Sequence, residues 1–212
     1  AEKVRGLFKK QSGGRGQYGD AVVSVCPMTA EEAEAEELKY KNGIVFVDGI
    51  AGGVIPREFI PSVEVGVRNA AASGVIGGYP LINVRVDLTF GSYHDVDSSQ
   101  VAFEQAGSLA FREAVMKAGP ALLEPIMKLT VTTPDEYFGT VSGDISSRRG
   151  HIVDSEIRGP VRIISAEVPL SEMFGYTTVL RSMTQGRATS TMEPAEYRIM
   201  PENLKDQVLA DA

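Results

Sequence analysis

The sequence predicts an α+β protein of two domains, and three observations carry that prediction. Its 212 residues are 43% hydrophobic and 23% charged, which is ordinary globular composition and enough length for one large or two small cores. Segments that alternate apolar and polar residues, such as 82–90, are interleaved with segments of helical spacing, such as 99–117. A Gly119-Pro120 pair then stops the chain, and beyond it the predicted elements run strand, helix, strand, strand, helix, strand. The chain therefore divides into residues 1–120, residues 121–200 and a tail over 201–212.

Residues 4–10 and 21–25 read as strands, joined by Gln11-Ser12-Gly13-Gly14-Arg15-Gly16-Gln17-Tyr18-Gly19, whose four glycines permit backbone angles that other residues avoid. That is a long hairpin with a shaped tip. Cys26 ends the apolar run from Ala21 and is expected to be a small buried hydrophobe. Glu31, Glu32, Glu34, Glu36 and Glu37 form a solvated loop or helix face. Residues 44–48 make a third short strand. A helix over 56–72 follows Gly52-Gly53, with Pro56 in its first turn and Ile55, Phe59, Ile60, Val63 and Val67 on its buried face. Gly74 is its stop signal. Over 82–90, Ile82, Val84, Val86 and Leu88 alternate with Asn83, Arg85, Asp87 and Thr89 as in a half-buried strand. After the polar segment 91–99, Asp97 or Ser98 caps a helix over 99–117. Its stripe of Ala102, Phe103, Ala106, Leu109, Ala110 and Ala114 lets it lie close on a sheet.

The second half reads as strand 126–132, helix 135–148, strand 150–158, a turn at Gly159-Pro160, strand 161–168, helix 171–184 and strand 187–197. Thr133-Pro134-Asp135-Glu136 is a helix start with a cap, a proline and two acids at the positive end of the dipole. The order βαββαβ predicts a ferredoxin-like sandwich, one sheet with both helices on one face. An amphipathic stretch over 204–209 adds a C-terminal helix.

Composition narrows the function. A net charge of −7 excludes a surface that coats nucleic acid without selectivity, so any RNA contact must be local. Lys9, Lys10 and Arg15 around the glycine-rich loop are the candidates for it. The single cysteine leaves no intramolecular disulfide, and neither a signal peptide nor an apolar stretch of roughly 20 residues is present, so the chain reads as soluble and cytoplasmic. No Gly-Lys pair occurs, so Gly13-Gly14, Gly52-Gly53 and Gly77-Gly78 are turns rather than triphosphate cradles, and GTP hydrolysis by this chain is not expected. His94, Asp95 and Asp97 could serve a metal, but neighbours in sequence rarely converge on one ion. A loop histidine beside Tyr93 suits base stacking or a phosphate contact instead. Ser92, His94 and Asp95 lack the elbow a nucleophilic serine needs. Arg148 and Arg149 at a helix end either compensate its dipole or contact phosphate.

Six segments in order resemble the elongation factor G family: Gln11 to Tyr18, Gly52-Gly53-Val54-Ile55-Pro56, Gly91 to Ser99, Leu123-Glu124-Pro125-Ile126, Arg148-Arg149-Gly150, and Phe174-Gly175-Tyr176 through Leu180 to Arg187. The resemblance covers the fourth and fifth of that family's five domains. It implies an elongated ribosomal-protein-like α/β module with a left-handed βαβ crossover over 1–120, then the ferredoxin-like module over 121–200. It also implies a role in tRNA–mRNA translocation, with the tip inserted into the A site of the small subunit. Gln11, Ser12, Gly13, Gly14, Arg15, Tyr93, His94 and Asp95 would then meet the codon–anticodon duplex at the decoding centre. Arg148 and Arg149 would face the large-subunit rRNA and stalk base. GTP and magnesium belong to the family's N-terminal domain, so no cofactor and no catalytic residue is expected here, and the chain is expected to be a monomer. A ribosome-recycling or tetracycline-protection paralogue shares the architecture. From another class, the alternative is a stand-alone metal-dependent hydrolase using His94, Asp95 and Asp97. Asp20 departs from the family pattern, where histidine is common, and is expected to put a negative charge near the tip.

Overall fold

A computed structural model describes residues 1–11 and 13–211, and places them in two units. The first comprises residues 1–120 with the chain end from Val208, and the second Ala121–Gln207. No helix among the described residues is long and apolar enough to cross a membrane.

The first unit is built on five strands: β1 (Val4–Lys10), β2 (Gln17–Pro27), β3 (Tyr40–Lys41), β4 (Ile44–Asp48) and β5 (Val84–Ser92). Their order in the sheet is β1-β2-β5-β4-β3. All neighbours are antiparallel except β4 and β5, so the chain between those two, which carries α2 (Ile60–Ser73), is a crossover. Alternation decides what each strand buries: Ala21, Val23 and Val25 enter the core, while the residues between them face the other way. Cys26, one step beyond Val25, therefore lies exposed on the opposite face, against the expectation of burial.

Helix α3 (Gln100–Ala118) lies on β1 and β2 with almost no space between backbones. A Cβ on Gly6 would fall 2.3 Å from both the Ala106 carbonyl oxygen and the Ala110 nitrogen. Ala102, Phe103, Ala106, Ala110 and Ala114 are all fully buried, but Leu109 is 45% exposed and stands off that stripe. Helices α2 and α3 cross where Gly66 meets the Glu104 carbonyl and Gly107 meets the Val63 carbonyl. Ser99, rather than Asp97 or Ser98, caps α3 by accepting from the Ala102 amide. The acidic run becomes α1 (Ala30–Ala35), because Thr29 and Glu32 bond each other's backbone amides in a capping box.

In the second unit β6 (Leu123–Pro134), α4 (Phe138–Ser147), β7 (His151–Arg158), β8 (Val161–Pro169), α5 (Tyr176–Met183) and β9 (Thr189–Ile199) follow in turn; α6 (Glu202–Ala210) comes last, with its residues from Val208 counted in the first unit. The antiparallel sheet has the order β7-β8-β6-β9, the interleaving of a ferredoxin-like fold. Leu129, Val131, Ile164, Ala166 and Val168 from the sheet pack with Val141 and Ile145 of α4 and Tyr176 and Leu180 of α5. Two helix starts differ from the sequence reading. Thr133 does not cap α4, since its hydroxyl donates to the Pro134 carbonyl and the chain enters through a 3-10 turn at Asp135–Tyr137. The expected helix over 171–184 is broken at Gly175, whose φ of 74° places it in the left-handed region, so α5 begins only at Tyr176.

The close crossing of α2 and α3 is testable, because a Cβ on Gly66 would lie 2.0 Å from the Glu104 carbonyl oxygen. Gly66→Ala should lower the unfolding free energy by about 3 kcal/mol in a denaturant titration. Tyr176 offers a second measurement. Its hydroxyl is buried with no hydrogen-bond partner among the described residues. Burial first, and the nearby Asp144 second, push the phenol up to about 12 from 10.0, with Arg148 opposing. The fold thus favours the neutral phenol, so its stabilisation is complete below pH 10 and is lost as pH rises from 10 towards 12. Tyr176→Phe should flatten that part of the stability profile relative to the parent. It should also leave the protein at pH 7 as stable or about 1 kcal/mol more stable, since an unsatisfied buried hydroxyl is removed.

Candidate nucleic-acid interface

Two loops come together at one end of the first unit. The described part of the β1–β2 hairpin tip, Gln11 and residues 13–16, precedes β2, and the segment 93–98 follows β5. Because β2 and β5 are antiparallel with Asp20 opposite Ser92, both loops leave the sheet at the same end. They are then joined directly. The Tyr18 amide donates to the Asp97 carbonyl at 2.8 Å, the Ser98 hydroxyl donates to the Tyr18 carbonyl at 3.0 Å, and Arg15 Nε donates to the Val96 carbonyl at 3.0 Å. Tyr18 and Ser98 form an isolated parallel bridge.

The second loop is braced from within. The His94 amide donates to the Ser98 hydroxyl at 2.9 Å, and the Ser98 amide donates to the His94 carbonyl at 3.0 Å. The imidazole Nδ1 accepts from the amides of Val96 and Asp97 at 3.4 and 3.3 Å, so the neutral ring carries its proton on Nε2. The His94 side chain is 56% exposed, with Asp97 Oδ2 3.7 Å from Nδ1 as its charge partner when the ring is protonated. Tyr93 and Asp95 are exposed beside it, and Gln11, Gly13, Gly14 and Arg15 are exposed across the junction. Ser12 lies outside the described residues. Lys9 and Lys10 add positive charge at the exposed end of β1. The arrangement can offer hydrogen-bond donors and basic groups to phosphate or ribose oxygens. Among the described residues, no three His, Cys, Asp or Glu side chains come together as a metal site requires.

Asp20 does not present a bare charge at the tip. It is 1% exposed and takes Arg5 Nε at 2.6 Å, Arg5 Nη2 at 2.8 Å and the Ser92 hydroxyl at 2.5 Å. A carboxylate at that depth needs such partners. The same hydrogen bonds, followed by the Asp20 charge, raise the Arg5 pKa above its ordinary value. Sequence reasoning missed the joining residues Tyr18, Ser92 and Ser98. The available signal was strand parity, which puts Tyr18 and Asp20 on one face of β2 with Ser92 beside them.

Arg148 and Arg149 lie in the second unit and are both engaged inside it. Arg148 Nε bonds Asp144 at 2.9 Å, its Nη1 bonds the Glu172 carbonyl at 2.6 Å, and its guanidinium lies 5.1 Å from the Tyr176 ring centre. Arg149 forks onto both oxygens of Glu124 at 2.8 Å and reaches Glu172 at 3.1 Å. Their side chains are 16% and 30% exposed. They tie the end of α4 to the start of β6 and to the 3-10 turn at Leu170–Glu172.

These features define an α+β protein of two unlike folds in tandem, the first ending in a hydrogen-bonded pair of polar loops and the second ferredoxin-like. Residues 1–119 match the family described as elongation factor G, domain IV, and residues 121–208 match the elongation factor G C-terminus. Elongation factor G of Aquifex pyrophilus is 50% identical over 206 residues, which cover 97% of this chain and 28% of that protein. A crystal structure from Thermus thermophilus superposes with a TM-score of 0.81 at 36% identity, covering 100% of this chain and 30% of the other. The chain belongs to the elongation factor G family, and it spans less than a third of the length of these relatives. The arginine staple can be tested by itself. Glu124→Gln leaves the Arg149 fork without its buried charge partner and should destabilise the second unit by about 2 kcal/mol in chemical denaturation, less than a wholly buried pair because solvent reaches Arg149.

Proposed function

We propose that this chain is the ribosome-contacting C-terminal part of a translocation factor, and that the joined loops enter the A site, at the decoding centre of the small subunit. The observation that carries this reading is the junction itself: a glycine-rich turn and a histidine-bearing turn, hydrogen-bonded to each other, with the imidazole exposed. Gln11, Ser12, Gly13, Gly14 and Arg15 meet one side of the codon–anticodon duplex, and Tyr93, His94 and Asp95 meet its backbone. Contacts of that kind position a duplex without reading its sequence, which suits a factor that acts on every tRNA.

The proposed effect is steric and electrostatic, with no covalent step in this chain. The tip occupies the A site and opposes return of the duplex, while GTP hydrolysis belongs to the N-terminal domain of the full-length factor. A bias of about 2.8 kcal/mol is a hundredfold in an equilibrium, so a few modest contacts suffice. The second unit meets large-subunit RNA near the stalk base, and Arg148 and Arg149 shape that surface by holding the end of α4 against β6.

His94→Ala in the full-length factor should slow single-round translocation several-fold and leave ribosome-stimulated GTP hydrolysis close to the parent rate. Equal rates of movement in parent and variant would remove the tip from the mechanism.

A further inference from the structure

On the sheet face that turns away from α3, three neighbouring strands bring Arg5, Tyr18, Asp20 and Ser92 into one polar cluster. Ser92 stands opposite Asp20 in the register, and Tyr18 lies two residues before Asp20 on the same face. An ionised carboxylate only accepts hydrogen bonds, so Ser92 must donate to Asp20 Oδ2 at 2.5 Å. The lone pair left on Ser92 then receives the Tyr18 hydroxyl at 2.8 Å. With the Arg5 fork on the other side, the cluster is a directed chain from Tyr18 through Ser92 to Asp20, closed by Arg5. Each member polarises the next.

Tyr18 is also where the second loop is attached. Its amide holds the Asp97 carbonyl, its carbonyl holds the Ser98 hydroxyl, and that hydroxyl holds the His94 amide. The Tyr18 ring centre is 6.3 Å from that of His94. The pair is a modest source of stability, because Asp20 is 2% exposed and gives up its water while Arg5 stays 57% exposed and screened by solvent. What it supplies well is orientation.

We propose that Asp20, neutralised by Arg5, is a positioning residue for the RNA-contacting tip. It fixes the Tyr18 ring through Ser92, and the Tyr18 backbone in turn fixes the loop that presents His94. This inference rests on the reading of the tip as an RNA contact, but its structural half can be measured without a ribosome.

Three substitutions separate positioning from bulk stability. Asp20→Asn removes the charge, Ser92→Ala cuts the chain while leaving the Arg5–Asp20 pair, and Tyr18→Phe removes one hydroxyl. Amide hydrogen exchange in this chain should quicken roughly tenfold at Tyr18, His94 and Ser98 in all three. The amides of Val23 and Val86, in the middle of the sheet, should change far less. Unchanged exchange at the three tip amides, or quickening that Val23 and Val86 share equally, would overturn the proposal. In the full-length factor, Ser92→Ala should slow translocation in the parent but add nothing in a His94→Ala background, whereas additive slowing counts against it. Local quickening combined with no effect of His94→Ala on movement would leave the positioning intact and remove the proposed function instead.

Discussion

Because β2 runs antiparallel to β5 with Asp20 opposite Ser92, the residues before β2 and those after β5 are delivered to the same end of the sheet. The remaining features of that end depend on this pairing. Two loops that are 80 residues apart at Tyr18 and Ser98 can share hydrogen bonds only because the strands behind them are already in register. Among the described residues no buried hydrophobic side chain belongs to either loop, so their shape rests on the bonds inside the 93–98 segment and on the backbone and hydroxyl contacts between the two. A contact surface assembled on rigid strands in this way loses less conformational freedom on binding than two separate loops would.

The sheet can hold that register because α3 is pressed onto it. Small residues do this on both sides, with Gly6 under Ala106 and Ala110, and Gly66 against Glu104 where α2 crosses. Packing of this closeness leaves no room for even a methyl group at the contact. The stiffness reaches the tip along the chain, since β2 passes unbroken from the Ala21 to Val25 core segment to Tyr18, and α3 starts directly after Ser98 at the Ser99 cap. The loops are thus bounded on each side by elements fixed in the core.

Much of this architecture is legible in the sequence. Alternation over residues 82–90 and the alanine stripe after Ser99 indicate the sheet and its covering helix, because period alone separates strand from helix. The family motifs indicate the two loops. Cys26 is misplaced when an apolar run is taken as uniformly buried, whereas strand parity sends Val25 and Cys26 to opposite faces. Asp20 looks like a free charge because its partner, Arg5, is reached only through the hairpin register, which loop composition does not reveal. The break at Gly175 escapes the sequence for a different reason. A glycine inside an apolar pattern is tolerated in many helices, and only its left-handed φ makes it a start.

Arg15 at the tip differs from Arg148 and Arg149 in its partners, and this bears on the proposed RNA contacts. Arg148 and Arg149 form hydrogen bonds with Asp144, Glu172 and Glu124, so a phosphate would have to compete with carboxylates already in place. At the tip, Arg15 Nε bonds a neutral carbonyl, which leaves the arginine charge uncompensated by that bond. Asp20 adds no free charge, being satisfied by Arg5 and Ser92, so the acids left at the tip are exposed Asp95 and partly exposed Asp97. With Lys9, Lys10 and Arg15 set against Asp95 and Asp97, that end is only slightly basic on a chain of net charge −7. With few phosphates to neutralise, such an end gains little from nonspecific attraction, and geometry must supply most of its selectivity. On the proposed reading of this end as an RNA contact, the hydrogen-bonded junction of the two loops supplies that geometry.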